Sequence, residues 1–302
     1  MKMNKIDTYE QRIRNIFPEL SIENISLNDE GLNFDIIIVN NKLVFRFAKH
    51  EYAVKKLNTE SRILEGIHKY ITLKVPNIFY KSQEVVGYFM IPGVSLRKDI
   101  LLGFDEKTIQ FVAEQLATFL KELHSVPVDK VLGFDIPVSD VPPKDEDWVD
   151  LYKRVQDEVF PHMMVHAREW AKNHFESFLD NKSNFDYEPK LIHGDLGAYH
   201  ILVDIQKKRI NGIIDFSTSG LGDPAMDIAT LIHTYGESFL SRFKNIYPES
   251  YAYLKRARFY AETFELQWAL SGIKSKELSW FLSHLGSAKD INYQSWGRGQ
   301  LS

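Results

Sequence analysis

Apolar and polar positions follow a strand-like spacing in the first third of the chain and predict a small sheet. Two apolar runs, residues 34–39 and 42–47, are separated by Asn40 and Asn41, and asparagine tolerates the positive φ of a tight turn. The pattern therefore predicts a β-hairpin here. Residues 50–69 carry one apolar stripe at helical spacing and predict a helix that packs on the sheet. The other elements predicted in this part are a helix within 7–20, with Asp7 and Thr8 as its cap, and strands at 21–27, 77–82 and 85–91.

Helical spacing dominates after Pro92 and Gly93, a pair typical of a hinge. Residues 105–124 predict a long amphipathic helix, and residues 148–179 predict a second one that Pro161 divides. Between them, residues 133–147 are rich in proline and aspartate and predict a surface loop. A short β region at 190–216 precedes further helices. We therefore predict an α+β fold of two lobes: a β-rich lobe with one long helix at 1–92, and a larger, mainly helical lobe at 93–302 with a helical insertion at about 133–188.

Composition narrows the classes of function. The 302 residues carry a net charge of −4, so no basic field favours nucleic acid, and the chain contains no cysteine for disulfides or thiolate metal sites. The first residues lack the apolar core of a signal peptide, and no run of about 18 apolar residues predicts a membrane span. We expect a cytoplasmic enzyme or binding protein, a monomer or weak dimer, without nucleic-acid or membrane partners.

The candidate chemistry is concentrated at the tips of the second β region. His193, Asp195 and His200 lie on a loop between two apolar strands, and the returning strand brings Asp215 to the same end. A carboxylate at the end of a buried strand is energetically costly unless it has a hydrogen-bonding or ionic partner, so it is seldom there for packing alone. Two such acids suit metal-phosphate chemistry, in which one takes the proton of an attacking hydroxyl and the other holds a divalent metal against phosphates.

These motifs resemble those of the aminoglycoside phosphotransferases, the small-molecule relatives of the protein kinases. The likeness covers essentially the whole chain and is nearest to the 2″-phosphotransferase and macrolide phosphotransferase branches. It implies a protein-kinase-like fold and transfer of the γ-phosphate of ATP or GTP to a small-molecule hydroxyl. The residues that carry it are His193-Gly194-Asp195 with His200, Ile214-Asp215-Phe216, and Gly222-Asp223-Pro224 with Asp227.

The resemblance implies a role for each matching position. Asp195 would be the catalytic base, Asp215 would bind Mg²⁺, and His193 would brace the loop. His200 would stand at the second metal position, where the kinases have asparagine. Since imidazole is a poorer Mg²⁺ ligand than an amide oxygen, His200 could act through water or a hydrogen bond instead. Asp227 is interpreted as a cap or brace of the helix that follows it.

The resemblance also implies a nucleotide site in the first lobe. Arg46, on the second strand of the hairpin, stands for the cation that holds phosphates, and Glu60 on the next helix would orient it. Arginine here replaces the kinase lysine.

The nucleotide-covering loop would be residues 28–33, with Gly31 and Asn33, although it lacks a GxGxxG pattern. The linker residues Phe89, Met90 and Ile91 would read the purine edge through their backbone. The sequence leaves open whether the donor is ATP or GTP.

The acceptor site is expected in the insertion and the carboxy-terminal helices. Aminoglycosides are polycations, so acids are the candidates: Asp145, Glu146, Asp147, Glu262 and Glu265, beside Trp268. The aromatic and apolar residues of 259–281 would equally suit a macrolide or another larger apolar alcohol, or could belong only to the core.

Other functions stay open on sequence alone. The replaced lysine and asparagine would also fit a nucleotide-binding pseudokinase or regulatory protein. The residues His193, Asp195, His200 and Asp215 would fit a metal-dependent hydrolase, which leaves Arg46 and Glu60 unexplained. Kinases of choline or of sugars share the scaffold.

Overall fold

A computed structural model describes residues 4–31, 33–133, 136–139 and 145–275. Its first part is a five-stranded antiparallel sheet with the strand order β1-β2-β3-β5-β4. The strands are β1 (Ile25–Asn28), β2 (Phe34–Val39), β3 (Leu43–Ala48), β4 (Ile78–Lys81) and β5 (Val85–Phe89). Asn40 and Asn41 both adopt positive φ, 54° and 51°, at the turn between β2 and β3. The predicted hairpin is therefore confirmed.

The two faces of this sheet pack against different helices because strand side chains alternate. On one face, Ile37 and Phe45 join Ile13 of α1 (Lys5–Ile16) in an apolar cluster. On the other, Phe34 and Val44 pack with residues of α2 (Glu51–Ile67). We call these the α1 face and the α2 face.

A short linker leads from β5 to β6 (Val94–Ser95), which pairs with the hairpin of β8 (Ile201–Asp204) and β9 (Arg209–Ile213). Gly93 in this linker has φ 151°, and a Cβ there would lie 3.0 Å from the carbonyl oxygen of Val203. Only glycine satisfies both conditions without strain.

The remainder is helical around a large apolar core that includes Trp148, Phe175 and Phe216, with β7 (Lys190–Ile192) paired to β10 (Gly220–Gly222). An α+β fold with an antiparallel sheet in the first lobe and a helical second lobe is thus observed. Its helices are α3 (Lys98–Leu102), α4 (Glu106–His124), α5 (Val128–Gly133), α6 (Asp145–Arg154), α7 (Val165–Leu179), α8 (Ala225–Tyr235), α9 (Glu237–Leu240) and α10 (Leu254–Ser275).

Several element boundaries differ from those predicted. Helix α1 begins at Lys5, so Asp7 lies inside its first turn rather than before it, and Asn4 occupies the cap position. In the predicted loop at 133–147, Gly133 ends α5 and residues from 145 onward are helical, because acidic residues are favourable in the first turn of a helix. The break near Pro161 is confirmed: a π-helical turn and a 3₁₀ turn separate α6 from α7.

Some predicted features lie outside the described residues: position 32 of the β1–β2 connection, residues 140–144, and residues 276–281 of the aromatic segment. The side chains of Asp145 and Glu146 also lie outside the description. Among the described helices, none combines the length and apolar character that crossing a bilayer needs.

Candidate active site

His193 ties together the two loops that carry the candidate acids. Its ring is fully buried. Nε2 lies 3.1 Å from the carbonyl oxygen of Ile214, and Nδ1 lies 3.3 Å from the main-chain nitrogen of Asp195. Burial lowers the pKa of His193, so the neutral ring donates through Nε2–H and accepts at Nδ1. The side chain therefore braces the loop between β7 and β8 against the end of β9.

Asp227 in α8 fixes the backbone of the same loop. Its carboxylate accepts the N–H groups of His193 at 3.0 Å and Gly194 at 2.8 Å, and it contacts Nε2 of His124 at 2.9 Å. Burial alone would raise the pKa of Asp227, but the hydrogen bond and charge of His124 hold it below the ordinary value. Tyr247 bonds the other ring nitrogen of His124 at 2.9 Å. The sequence assigned Asp227 only to its own helix and missed this contact, because the contact joins segments more than 30 residues apart.

Asp195 and Asp215 converge on opposite sides of the His200 imidazole. Nδ1 of His200 donates to the main-chain carbonyl of Asp195 at 2.6 Å and lies 3.6 Å from its Oδ2. Nε2 of His200 lies 3.8 Å from Oδ2 of Asp215. The Asp195 side chain is 56% exposed, whereas that of Asp215 is 31% exposed. One acid therefore faces open space while the other lies deeper in the cleft between the lobes.

Asp215 is held in an unusual conformation. Its φ is 64°, a left-handed value that is strained for a residue other than glycine. Oδ1 accepts the N–H of Ser217 at 3.3 Å and contacts Nη2 of Arg46 at 3.3 Å. Burial would raise the pKa of Asp215, but the charges of Arg46 and then His200 outweigh it, and the pKa is lowered. The side chain is therefore an anion aimed at the cleft.

Arg46 and Glu60 form a buried ion pair beside Asp215. Nη1 of Arg46 lies 2.6 and 2.7 Å from the two oxygens of Glu60, and the residues are only 3% and 4% exposed. The guanidinium also stacks 4.2 Å from the ring centre of Phe34. Glu60 accepts the N–H of Phe216 at 3.0 Å, so the pair joins β3, α2 and the segment that carries Asp215.

The metal-binding side chains of the site fit a Mg²⁺ ion that is held partly by the protein and partly by substrate phosphates. No cluster of three metal-binding side chains occurs among the described residues. Mg²⁺ is commonly held by one or two carboxylates together with water and substrate phosphates. An anionic Asp215 with the His200 imidazole 3.8 Å away offers such an incomplete site.

The other residues predicted to contact the nucleotide lie in the β1–β2 connection, at the end of β5 and directly after it. Gly31 and Asn33 occupy the β1–β2 connection. The N–H groups of Phe89 and Met90 already bond to the carbonyls of Asn77 at 3.4 Å and Lys42 at 2.8 Å. A purine bound along this linker would therefore contact the carbonyl groups of Phe89 and Met90 and the backbone of Ile91.

A cavity of about 690 Å³ connects Asp195 with part of the predicted acceptor set. Glu265 and Trp268 line it together with Asp195 and His200. Sequence reasoning missed Gly197, Ala198, Tyr199, Thr230, His233 and Thr234, whereas Phe264 belongs to the predicted aromatic segment. Thr230, His233 and Thr234 recur at three and four along α8, which was the available signal.

Two predicted acceptor residues are not among those that line this cavity. Glu262 is buried and its Oε2 lies 3.1 Å from Nδ1 of His174 in α7. Asp147 lies exposed on α6.

Comparison with known proteins identifies the family of this chain. A family model described as the phosphotransferase enzyme family matches residues 22–260. Viomycin phosphotransferase from Streptomyces vinaceus is 27% identical over 250 residues, covering 80% of this chain and 83% of the relative. The GDP and kanamycin complex of an aminoglycoside 2″-phosphotransferase superposes with a TM-score of 0.86 and 25% identity, covering 96% of this chain and 99% of that one.

A macrolide 2′-phosphotransferase of type I shares the fold, with a TM-score of 0.75 and 20% identity over 96% of this chain and 99% of that one. The match to the family model spans both the sheet with the Arg46–Glu60 pair and the loops with Asp195 and Asp215. With its kinase-like two-lobed fold and this extended match, the chain belongs to the phosphotransferase enzyme family and is a small-molecule phosphotransferase.

Proposed function

We propose that this protein transfers the γ-phosphate of ATP or GTP to a hydroxyl of an aminoglycoside-type antibiotic. One observation carries the proposal: Asp195 and Asp215 meet on either side of His200, 3.6 and 3.8 Å from its ring nitrogens. Of two carboxylates with different exposure, one can take the proton of the acceptor hydroxyl and the other can hold a metal ion against the donor phosphates. The exposed acid faces the cavity, and the deeper acid contacts the buried arginine.

Asp195 is the proposed catalytic base. Its carboxylate lines the cavity and is reachable by a hydroxyl bound there. It would orient this hydroxyl and accept its proton as the oxygen attacks the γ-phosphorus. The bond from that phosphorus to the β–γ bridging oxygen breaks, and the nucleoside diphosphate leaves. The hydrogen bonds of His193 and Asp227 to this loop would fix the base before the acceptor binds.

Arg46 and Asp215 form the proposed donor side of the site. Arg46 remains a cation because the charges of Asp215 and Glu60 raise its pKa despite the opposing effect of burial. It would bind the nucleotide phosphates, while Glu60 keeps it oriented. Asp215 and His200 would hold Mg²⁺, which when bound neutralises charge on the phosphates.

Glu265 and Trp268 are the proposed acceptor contacts. A carboxylate beside an aromatic face suits a protonated amine, through charge and cation–π attraction. Both side chains line the cavity that reaches Asp195. The relative named for viomycin and the neighbour that holds kanamycin support an antibiotic acceptor. The aromatic lining of Tyr199 and Phe264 favours, as a second candidate, a macrolide or another large alcohol.

The test is a phosphorylation assay with Mg²⁺, either nucleotide, and a panel of aminoglycosides, viomycin and macrolides. Product is identified by the mass of one added phosphoryl group. We expect Asp195→Asn to abolish turnover while nucleotide binding persists. Asp204→Asn, which alters an acid on the same hairpin that bonds to Lys207, is the matched control and should keep its activity.

Three outcomes would contradict the proposal. Near-normal turnover by Asp195→Asn would remove the assigned base. Nucleotide binding without turnover on any acceptor would favour a pseudokinase. Phosphate release from an ester without nucleotide would favour a hydrolase.

A further inference from the structure

Asp35 is a buried charge on the α1 face of the sheet. It is 3% exposed, and its carboxylate accepts from the hydroxyl of Tyr9 and from Nζ of Lys5 at 3.1 Å. Nζ of Lys49 lies 3.4 Å from the same carboxylate. A buried carboxylate is tolerated only when such partners compensate its lost hydration. Burial and the bond to Asp35 raise the pKa of Tyr9 to about 12, so the hydroxyl stays a donor at physiological pH.

Lys49, which contacts Asp35, also binds the β1–β2 connection. Its Nζ donates to the main-chain carbonyl of Asp29 at 2.7 Å and to that of Gly31. Its own N–H donates to the carbonyl of Asn33 at 2.9 Å. One residue at the end of β3 therefore binds three carbonyls along a connection of five residues.

The shape of the connection does not depend on a left-handed glycine. Gly31 lies outside the set of positive-φ glycines, and a Cβ at this position would meet Phe34 at an ordinary 3.5 Å. Lys5 adds a further attachment, since its ammonium contacts the Asp29 carboxylate at 2.9 Å as well as Asp35. The connection is therefore fixed from the α1 face by lysine side chains.

We propose that Lys49 is a positioning residue for the nucleotide, which sets the β1–β2 connection over the phosphates without touching them. This inference rests on the proposed function and on the expectation, implied by the resemblance, that residues 28–33 cover the nucleotide. The loop lacks the several glycines whose amides usually cradle phosphates. Lys49 binds the carbonyls of the loop on the α1 face and so holds the loop in one conformation, which the loop sequence alone does not ensure.

The test compares Lys49→Met and Lys49→Arg with Lys81→Met. Lys81 lies in the same sheet, and its 33% exposed side chain pairs with one exposed acid, Glu65, at 3.6 Å. Isothermal titration with Mg-ATP and Mg-GTP gives the nucleotide Kd, and steady-state kinetics give the KM of the acceptor.

We expect Lys49→Met to raise the nucleotide Kd about tenfold, since two charge-assisted hydrogen bonds to the loop are lost. The acceptor KM should stay within about twofold of the wild-type value, because the acceptor cavity belongs to the other lobe. Lys49→Arg should recover most of the affinity, and Lys81→Met should match the wild type. An unchanged Kd, or an equal rise of both constants, would overturn the inference.

Hydrogen exchange of the nucleotide-free protein separates this inference from the proposed function. We expect faster exchange at residues 29–33 in Lys49→Met than in Lys81→Met. Equal exchange would show that Lys49 does not hold the connection, even if the wild-type enzyme turns over. Failure of the wild type to bind either nucleotide would instead overturn the proposed function, and the assignment of the loop with it.

Discussion

Replacing Glu60 by glutamine removes the charge of one partner in a buried ion pair. Both oxygens of Glu60 lie within 2.7 Å of Nη1 of Arg46, and neither residue is more than 4% exposed. Removing one partner of such a pair costs about 3–5 kcal/mol, since the other charge stays buried. Asp215 still contacts Arg46 at 3.3 Å, and glutamine keeps one oxygen for the N–H of Phe216. We therefore expect the lower end, a loss of about 3 kcal/mol in the free energy of unfolding.

Urea denaturation measures this loss, and Glu65→Gln is the matched control. Glu65 lies on the same helix, but its side chain is 58% exposed and it pairs with Lys81 at 3.6 Å. The control should change the unfolding free energy by less than about 0.5 kcal/mol. If Glu60→Gln changed the free energy of unfolding as little as the control does, the buried ion pair would not contribute about 3 kcal/mol to stability.

A double variant separates stability from function. Replacing both Arg46 and Glu60 by methionine leaves no unpaired charge in the pair, and such replacements are often neutral or stabilising. The double variant still leaves the buried N–H of Phe216 without its acceptor, which costs about 1–3 kcal/mol. We therefore expect a loss of unfolding free energy no larger than that of Glu60→Gln, together with weak nucleotide binding. Recovery of nucleotide affinity along with stability would contradict the phosphate role of Arg46.

Three further changes test the second lobe. Asp227→Asn leaves one of the N–H groups of His193 and Gly194 poorly bonded, so kcat should fall about a hundredfold while the nucleotide Kd is unchanged. The pKa of buried His193 is lowered from 6.5, so only the unfolded chain takes up that proton, and stability is lost as the pH falls below about 6.5. His193→Asn should reduce this loss, seen as unfolding free energy against pH. Gly93→Ala forces a side chain into φ 151° and against the carbonyl of Val203, which should cost about 2 kcal/mol.

Each of these predictions has a control in the same chain. Asp204→Asn should keep kcat, since this acid bonds only to its own turn among the contacts described. His68→Asn, which alters an exposed histidine, is the control for His193→Asn. Gly133→Ala should be tolerated, because no atom of the described residues lies within 4 Å of the added Cβ. A variant that cannot be told from its control would refute the corresponding prediction.

Local sequence predicted much of the framework because the responsible interactions are short in range. Asn40 and Asn41 define a turn through their own backbone preferences, and Pro161 breaks a helix by lacking an N–H. The acids Asp195 and Asp215 were recognisable because their motifs lie within about 25 residues on one β region. Their relation to Arg46 was expected from the resemblance alone.

The acceptor side depended on packing that a linear pattern does not encode. Glu262 and Glu265 lie on the same helix three residues apart, yet one pairs with His174 inside the lobe and the other lines the cavity. Which of two nearby acids reaches the cavity depends on how α10 lies against α7 and α8. That arrangement follows from the shapes of many side chains together.

The sequence by itself determined the strands, the main helices and the order of the chemical motifs, because backbone preference and apolar periodicity act over a few residues. Only the tertiary structure decided that Asp227 holds the Asp195 loop, that Lys49 fastens the β1–β2 connection, and that Glu60 reaches the N–H of Phe216. The hydrogen bond from His193 to Asp227 joins residues 34 positions apart, and the one from Phe216 to Glu60 joins residues 156 positions apart. They form because burying a charge requires a partner, and folding selects that partner by proximity in space.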